Sequence, residues 1–223
     1  MITVHHLNNS RSQRVLWLLE ELNVRYEVKR YERDRRTMLA PPELRAVHPL
    51  GKSPVVSDGD LAIAESGAII EYLVARHGQG RLIPGAGTPE HLRYTYWLHF
   101  AEGSAMPNQV LKLICDRMAG ARMPFFIKPV ARGISNRLLK SFVMPNIQAQ
   151  LDFMEAELGR SEWFAGAEFS AADIQMSFPL EVAVRRCGLD ASRPRLHAFL
   201  QKIHARAAYQ RALERGGPYD YAG

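Results

Sequence analysis

The stretch "HPLGKSPVVSDGDLAIAESGAIIEYLVARHG", residues 48–78, decides the fold. It contains two short strand-like runs, "PVVSD" and "LAIA", with Gly59 in the turn between them. Behind them Ile69, Ile70, Leu73 and Val74 form a stripe at helical spacing, and Gly78 sits where a helix stops. Upstream, "ITVHHL" (2–7) reads as a strand, and Val15, Leu18, Leu19 and Leu22 follow at i, i+3, i+4 and i+7, the mark of an amphipathic helix. "RYEVKRY" (25–31) alternates with Tyr26 and Val28 on one face and reads as a second strand. Pro41 and Pro42 exclude a regular element running through them. The order is strand, helix, strand, irregular segment, strand, strand, helix: a compact α/β unit filling residues 1–80.

The character changes after "QGRLIPGAGTP" (79–89), which has the glycine and proline content of a linker. Thr88 followed by Pro89 is a cap with proline at the first helical position. It opens a long helix through "EHLRYTYWLHFAEGSAM" toward residue 118, which "GARMPFFIKPVARG" interrupts. A second helix is expected over 136–158, and Ser170 with Asp173 has capping-box spacing for a third. "RPRLHAFLQKIHARAAYQRALER" supplies one or two more. The expected division is residues 1–80, a linker over 81–88, and an all-helical unit over 89–223.

With 47% hydrophobic and 23% charged residues, the chain has a globular composition. Apolar runs such as "VLWLL" are far short of a membrane span, and "MITVHHLNNS" lacks a basic-then-apolar signal, so a cytoplasmic protein without membrane contact is expected. Cys115 and Cys187 lie far apart in sequence, which fits buried thiols in a reducing compartment. His5 and His6 point to opposite faces of a strand, so no metal site is expected. The net charge of +6 is uneven: residues 1–80 carry 11 Lys/Arg against 10 Asp/Glu, and residues 81–223 carry 18 against 13. Seven basic residues between Lys112 and Lys140 face only Asp116, which is either a solvated face or a positive field for an anionic small ligand. No nucleic-acid motif accompanies them.

The polar cluster "NNSRSQR" (8–14) stands where the first helix must begin. Ser10 and Gln13 have the spacing of a capping box. The cluster also resembles a catalytic turn in which serine is followed four positions later by arginine, here Ser10 and Arg14. "HPLGKSPVV" is similar to an NPxGKVPVL segment with a cis proline, and "AESGAIIEYL" to an ESxAIxxYL segment. Three such motifs in this order resemble the cytosolic glutathione transferases, of bacterial type with a serine turn, over essentially the whole chain. That resemblance implies a thioredoxin-like α/β N-terminal domain plus an all-α helical-bundle C-terminal domain, glutathione as co-substrate, and a homodimer.

It also implies roles for residues. Pro54, as a cis proline, would leave the backbone of Ser53 free to pair with the extended tripeptide. Ser66 and Glu65, at a helix start that favours a carboxylate, would bind the γ-glutamyl carboxylate and ammonium, roles compatible with Ser66 as N-cap. Lys52 would meet the glycine carboxylate, and Glu102 would reach across a dimer interface toward the γ-glutamyl amine. The "SAADI" segment (170–174) would cap a helix.

Thiol activation is a modest demand. A free thiol has a pKa of roughly 8.5, and lowering it by about two units needs about 2.7 kcal/mol. One hydrogen bond to a charged group contributes ~1.5–3 kcal/mol and a helix N-terminus ~0.3–1. Ser10 is the expected donor, with Asn9 as competitor and Ser12 third. Met106, Val110, Ile114 and Phe125 are candidates for a hydrophobic electrophile pocket. The implied function is conjugation of glutathione to hydrophobic electrophiles, a detoxification chemistry. Glutathione-dependent peroxide or disulfide reduction, and a non-catalytic binding or regulatory protein, are the alternatives.

Overall fold

Strand β1 (Ile2–Leu7) lies at the centre of a four-stranded sheet ordered β2-β1-β3-β4. The sheet belongs to a computed structural model that describes residues 1–34 and 36–222. Helix α1 (Ser12–Leu22) carries the chain from β1 to the parallel β2 (Tyr26–Tyr31), in register Ile2 to Tyr26. Asn23, in a left-handed conformation (φ 55°), ends α1. The β3 (Val55–Asp58) and β4 (Leu61–Ala64) strands form the expected hairpin, and β3 pairs antiparallel with β1. Gly59 takes the positive φ (59°) that the turn requires. Helix α3 (Ser66–His77) follows directly, with Ile69, Ile70, Leu73 and Val74 buried as their spacing predicts.

The segment around Pro41 and Pro42 differs from expectation. A short helix, α2 (Pro42–Val47), starts there, because Pro41 is extended at the cap and Pro42 occupies the first turn, where its missing N–H costs nothing.

All later elements are helical: α4 (Pro89–Phe100), α5 (Met106–Gly120), α6 (Lys128–Leu138), α7 (Met144–Glu157), α8 (Ala171–Val182), α9 (Pro194–His204) and α10 (Ala207–Gly216). Thr88 caps α4 as expected, accepting from the His91 amide at 3.2 Å. The long helix expected from Pro89 forms, and the one expected over 136–158 runs longer than its sequence reading. A π-helical turn, Ala101–Ala105, joins α4 to α5, and another, Leu139–Val143, joins α6 to α7, so the expected 136–158 helix begins at Lys128. Pro129 sits in its first turn and does not break it. No helix among the described residues is long and apolar enough to cross a membrane. Cys115 and Cys187 are free and buried.

Helix α8 is buried along all of its residues, and α1 along nine of eleven, so these two helices form the centre of one continuous core. Trp17 of α1 packs against Phe169 and Tyr209, and Gly216 of α10 lies where a Cβ would come within 2.5 Å of the Gln13 side chain. The capping box is present: the Asp173 carboxylate accepts from the Ser170 amide (2.9 Å) and, additionally, from the Phe164 amide (2.8 Å). Burial pushes the Asp173 carboxyl up to about 6, against the pull of those donors. The folded chain therefore holds this proton more tightly than the unfolded one, and that contribution to stability is lost as pH rises through about 6.

Pro179 lies inside α8 and has no N–H to give to the Gln175 carbonyl one turn earlier. Arg14 of α1 fills the vacancy: its Nη1 donates to Gln175 O at 2.5 Å, and its Nη2 to Glu102 Oε1 at 2.5 Å. The guanidinium is fully buried, so its charge needs the Glu102 carboxylate, which also pairs with Arg11 at 3.1 Å.

Two predictions follow from these contacts. Asp173→Ala strands the Phe164 and Ser170 amides and should lower the unfolding free energy by about 2–6 kcal/mol, at roughly 1–3 per unsatisfied donor; an unchanged urea midpoint would refute the capping role. For the ion pair, a double-mutant cycle of Arg14→Met and Glu102→Gln should give a coupling energy of about 1.5–3 kcal/mol. Additive effects would show that Glu102 does not neutralise Arg14.

Candidate functional site

The open end of the sheet, the start of α3 and the π-helical turn of Glu102 enclose a cleft of about 400 Å³. Its wall includes Lys52, Ser53, Pro54, Glu65, Ser66 and Glu102, so six residues singled out from sequence meet in one place. The Ser53–Pro54 peptide is cis. Ser66 is buried as the first residue of α3, where the first-turn N–H groups have no helical partners. Glu65, at the cap position with φ 71°, is exposed to the cleft, so the cap falls one residue before Ser66. Glu102, expected to reach across a dimer interface toward the γ-glutamyl amine, lines the cleft of its own chain. Burial raises its carboxyl, but the nearby Arg14 and Arg11 charges outweigh that and hold it below the usual carboxylate range.

Ser10 lies behind this wall, only 3% exposed, while its chain neighbour Arg11 and its hydroxyl neighbour Ser53 both line the cleft. The expected capping box with Gln13 does not form. Arg11 occupies the cap position in helical geometry, Ser10 Oγ accepts from the Ser12 amide (3.2 Å), and Gln13 is buried against α10 with its amide unpartnered. Ser10 belongs instead to a row of hydroxyls. Its Oγ is 2.7 Å from Ser12 Oγ and 3.3 Å from Ser53 Oγ, and Ser12 Oγ is 2.9 Å from His6 Nδ1. Ser53 donates its own proton to His5 O at 3.1 Å. Burial, with a smaller push from Arg30, depresses His6 to about 4, so its ring is neutral at physiological pH. His5, on the opposite face of β1, bonds Tyr31 and Ser57.

A second cavity of about 310 Å³ adjoins the first and shares Arg11, Arg33 and Met38 with it. Met106 and Val110 line it as expected, with Leu113, Phe178 and Val182. Ile114 and Phe125 do not. Steps of four residues overshoot a helical turn of about 3.6, so Ile114 has rotated off the face that Leu113 and Arg117 occupy. Phe125 is 86% exposed between α5 and α6, stacked edge-on against Phe126.

The chain end, which carries no helical or strand periodicity, completes this cavity. Asp220 and Tyr221 line it, held by Tyr219, which donates to the buried Glu181 at 2.5 Å, and by Asn9. The Asn9 side chain donates to Asp220 Oδ2 (2.7 Å) and accepts from the Asp220 amide (2.9 Å). Sequence reasoning also missed His6, Arg33 and Gln109, whose placement depends on contacts between distant segments.

Comparison with known proteins agrees with this architecture. Residues 1–75 match the glutathione S-transferase N-terminal domain, and residues 118–207 match the glutathione S-transferase C-terminal domain. Glutathione S-transferase 3 of Schizosaccharomyces pombe is 39% identical over 83% of this chain and 75% of its own length. Glutathione S-transferase 1 of Saccharomyces cerevisiae is 31% identical over 96% of this chain and 95% of its own. The crystal structure of a glutathione S-transferase from Actinobacillus pleuropneumoniae superposes with a TM-score of 0.81 at 32% identity, covering 100% of this chain and 96% of the other. A sphingomonad glutathione S-transferase complexed with glutathione shares the fold, with a TM-score of 0.75 at 22% identity over 96% of this chain and 98% of its own. Two domain matches in the right order, on a mixed four-stranded sheet joined to a helical bundle, show that the chain belongs to the glutathione S-transferase family and is an enzyme of that family.

Proposed function

We propose that glutathione lies in the larger cleft and that its sulfur attacks an electrophile held in the adjoining cavity. The observation that carries this reading is the proton inventory around Ser10. A hydroxyl has one proton and two lone pairs. Ser10 Oγ accepts from the Ser12 amide, and accepts from the Ser12 hydroxyl if His6 carries its proton on Nδ1 and donates it to Ser12. Both lone pairs are then used. The Ser10 proton is left with a long 3.3 Å contact to Ser53 Oγ, a weak resting partner that a thiolate would replace. His6 and Ser12 act as positioning residues in this arrangement, and Ser10 is the donor to sulfur. Asn9 is the weaker competitor because its amide is already bound to Asp220 through both oxygen and nitrogen.

The remaining roles follow from charge. Residues 1–80 supply most of the glutathione site: the start of α3 and Ser66 receive the γ-glutamyl carboxylate, Glu65 favours its ammonium, the Ser53 backbone pairs with the cysteinyl residue, and Lys52 meets the glycine carboxylate, while Glu102 of the helical unit lines the same cleft paired with Arg14 and Arg11. The helical unit after the 81–88 linker supplies Met106 and Val110 to the electrophile. A homodimer is supported by the exposed Leu92 and Tyr96 beside Gly103 and Ser104 on one face of α4 and its π-helical turn. No metal takes part in this scheme. A cytoplasmic location fits a chemistry that draws on a reduced thiol pool.

Titration of bound glutathione by thiolate absorbance should show a thiol pKa lowered by about two units in wild type. In Ser10→Ala the shift should shrink by more than half, with kcat/KM falling about 10- to 100-fold near pH 6.5 and less at alkaline pH, where free thiolate is abundant. An unshifted thiol in wild type would overturn the transferase reading. A shift kept in Ser10→Ala but lost in Asn9→Ala would move the donor role to Asn9. Peroxide turnover exceeding conjugation would favour the reductase alternative.

A further inference from the structure

The second cavity combines an apolar wall with an unbalanced positive charge. Met106, Val110, Phe178 and Val182 supply the apolar surface, and four guanidiniums, Arg11, Arg33, Arg117 and Arg186, supply the charge. They come from four separate places: the start of α1, the segment after β2, the last turns of α5, and the π-helical turn Ala183–Cys187 that ends α8. Among the described residues one carboxylate, Asp220, lines the cavity, so one negative charge stands against the four guanidiniums; its Oδ2 accepts from the Asn9 amide. Among the described residues Arg11 is ion-paired, with Glu102, whereas Arg33, Arg117 and Arg186 have no carboxylate partner. Arg33 gives one N–H to Met38 O at 3.2 Å, and Arg186 lies 5.4 Å over the Tyr221 ring. Burial disfavours the charged form of Arg33; Tyr221 offsets part of this, and the Arg11 and Arg117 charges add to it, so Arg33 stands close enough to both cations to be repelled by them.

Like charges gathered on a partly enclosed apolar surface are costly unless a ligand neutralises them. We propose that the electrophile is an anion, an apolar or aromatic body carrying a carboxylate that Arg33, Arg117 and Arg186 receive. This rests on the transferase reading above and narrows its substrate class. The apolar body lies on Met106 and Phe178, and the reacting carbon faces the Asn9–Arg11 end, where the cavity meets the cleft. For an aryl halide the step balances simply. The sulfur lone pair forms the C–S bond, the C–Cl bond breaks, chloride leaves with its electron pair, and nothing is oxidised or reduced. The basic surface from Lys112 to Lys140 thus contributes to the site chiefly through Arg117, the member that lines the cavity.

The test compares para-chloro-dinitrobenzoate with its neutral carboxamide, each kcat/KM divided by the uncatalysed rate with glutathione. Wild type should prefer the benzoate by about tenfold or more at low salt, the equivalent of one good charge-assisted contact. The preference should shrink in high salt and fall toward one in Arg117→Gln and Arg186→Gln, both exposed positions whose substitution the fold tolerates. Arg122→Gln, on the same basic surface but outside the cavity, should leave the ratio unchanged. Equal corrected rates, a preference for the amide, or an equal response to Arg122→Gln would overturn the proposal while leaving the thiol shift, and so the transferase reading, intact. Absence of the thiol shift in wild type would overturn both. The carboxylate could also belong to a second glutathionyl group: glutathione disulfide inhibiting the benzoate reaction, with inhibition relieved in Arg117→Gln, would keep the arginines as an anion site and assign it to that source, whereas indifference to the disulfide assigns it to an aryl or alkyl acid.

Discussion

The buried guanidinium of Arg14 ties the two parts of the fold to each other. A proline inside α8 strands one carbonyl in the centre of the protein, and a buried unpaired acceptor there would cost on the order of 1–3 kcal/mol. Arg14 reaches from α1 to fill that position and brings a full positive charge with it. The charge in turn requires Glu102, which a π-helical turn between α4 and α5 delivers to the same spot. Three local irregularities, an internal proline, a buried cation and a widened helical turn, are therefore one compensated unit. Because Arg14 stands one turn into α1, the unit also sets where α1 begins, and with it the position of Ser10.

The charge layout of the two cavities follows from that placement. Glu65 brings a negative charge to one end of the cleft, while the charge of Glu102 is taken up by Arg14 and Arg11, and the start of α3 favours a carboxylate beside them. Arg11 and Arg33 stand where the two cavities meet. In the proposed scheme a thiolate at this junction would sit among cations and hydrogen-bond donors, each making a small contribution to its stability. The neutral His6 fits this scheme in the tautomer that carries its proton on Nδ1, because that N–H donates to Ser12 and so directs the hydroxyl row toward Ser10.

Much of the fold is legible in the sequence because its elements announce themselves by period and by stop residues. The β1-α1-β2 unit, the hairpin about Gly59, the stripe of α3 and the Ser170–Asp173 capping box all depend on residues within a few positions of one another. The larger cleft is legible for the same reason: Ser53-Pro54 and Glu65-Ser66 are short motifs on adjacent elements. Features made by distant segments are not. The row from His6 to Ser12 to Ser10 to Ser53 needs β1, α1 and the loop before β3 to converge, and nothing in "ITVHHL" marks His6 apart from His5. Ile114 fails because counting in fours drifts around a helix, and Phe125 because an aromatic residue between prolines carries no information about which way its loop turns. The capping box expected at Ser10 fails because the helix starts one residue later, at a point fixed by Arg14 and not by local preference.

The chain end shows how far such long-range placement reaches. Asp220 has no local reason to lie near residue 9, yet two hydrogen bonds join them, and the tyrosines on either side anchor the segment against α8: Tyr219 through Glu181, and Tyr221 edge-on to Phe178 at 5.6 Å. Asn9 takes a positive φ of 50°, a conformation that asparagine accepts more readily than most residues, and this turns its amide toward the tail. Asparagine at this position thus has a role that does not involve sulfur. It closes the second cavity by holding its last wall, while the adjacent hydroxyl turns inward toward Ser12 and Ser53. Neighbouring polar residues that looked interchangeable in the sequence are separated by backbone geometry into one that builds the cavity and one that joins the buried row of hydroxyls.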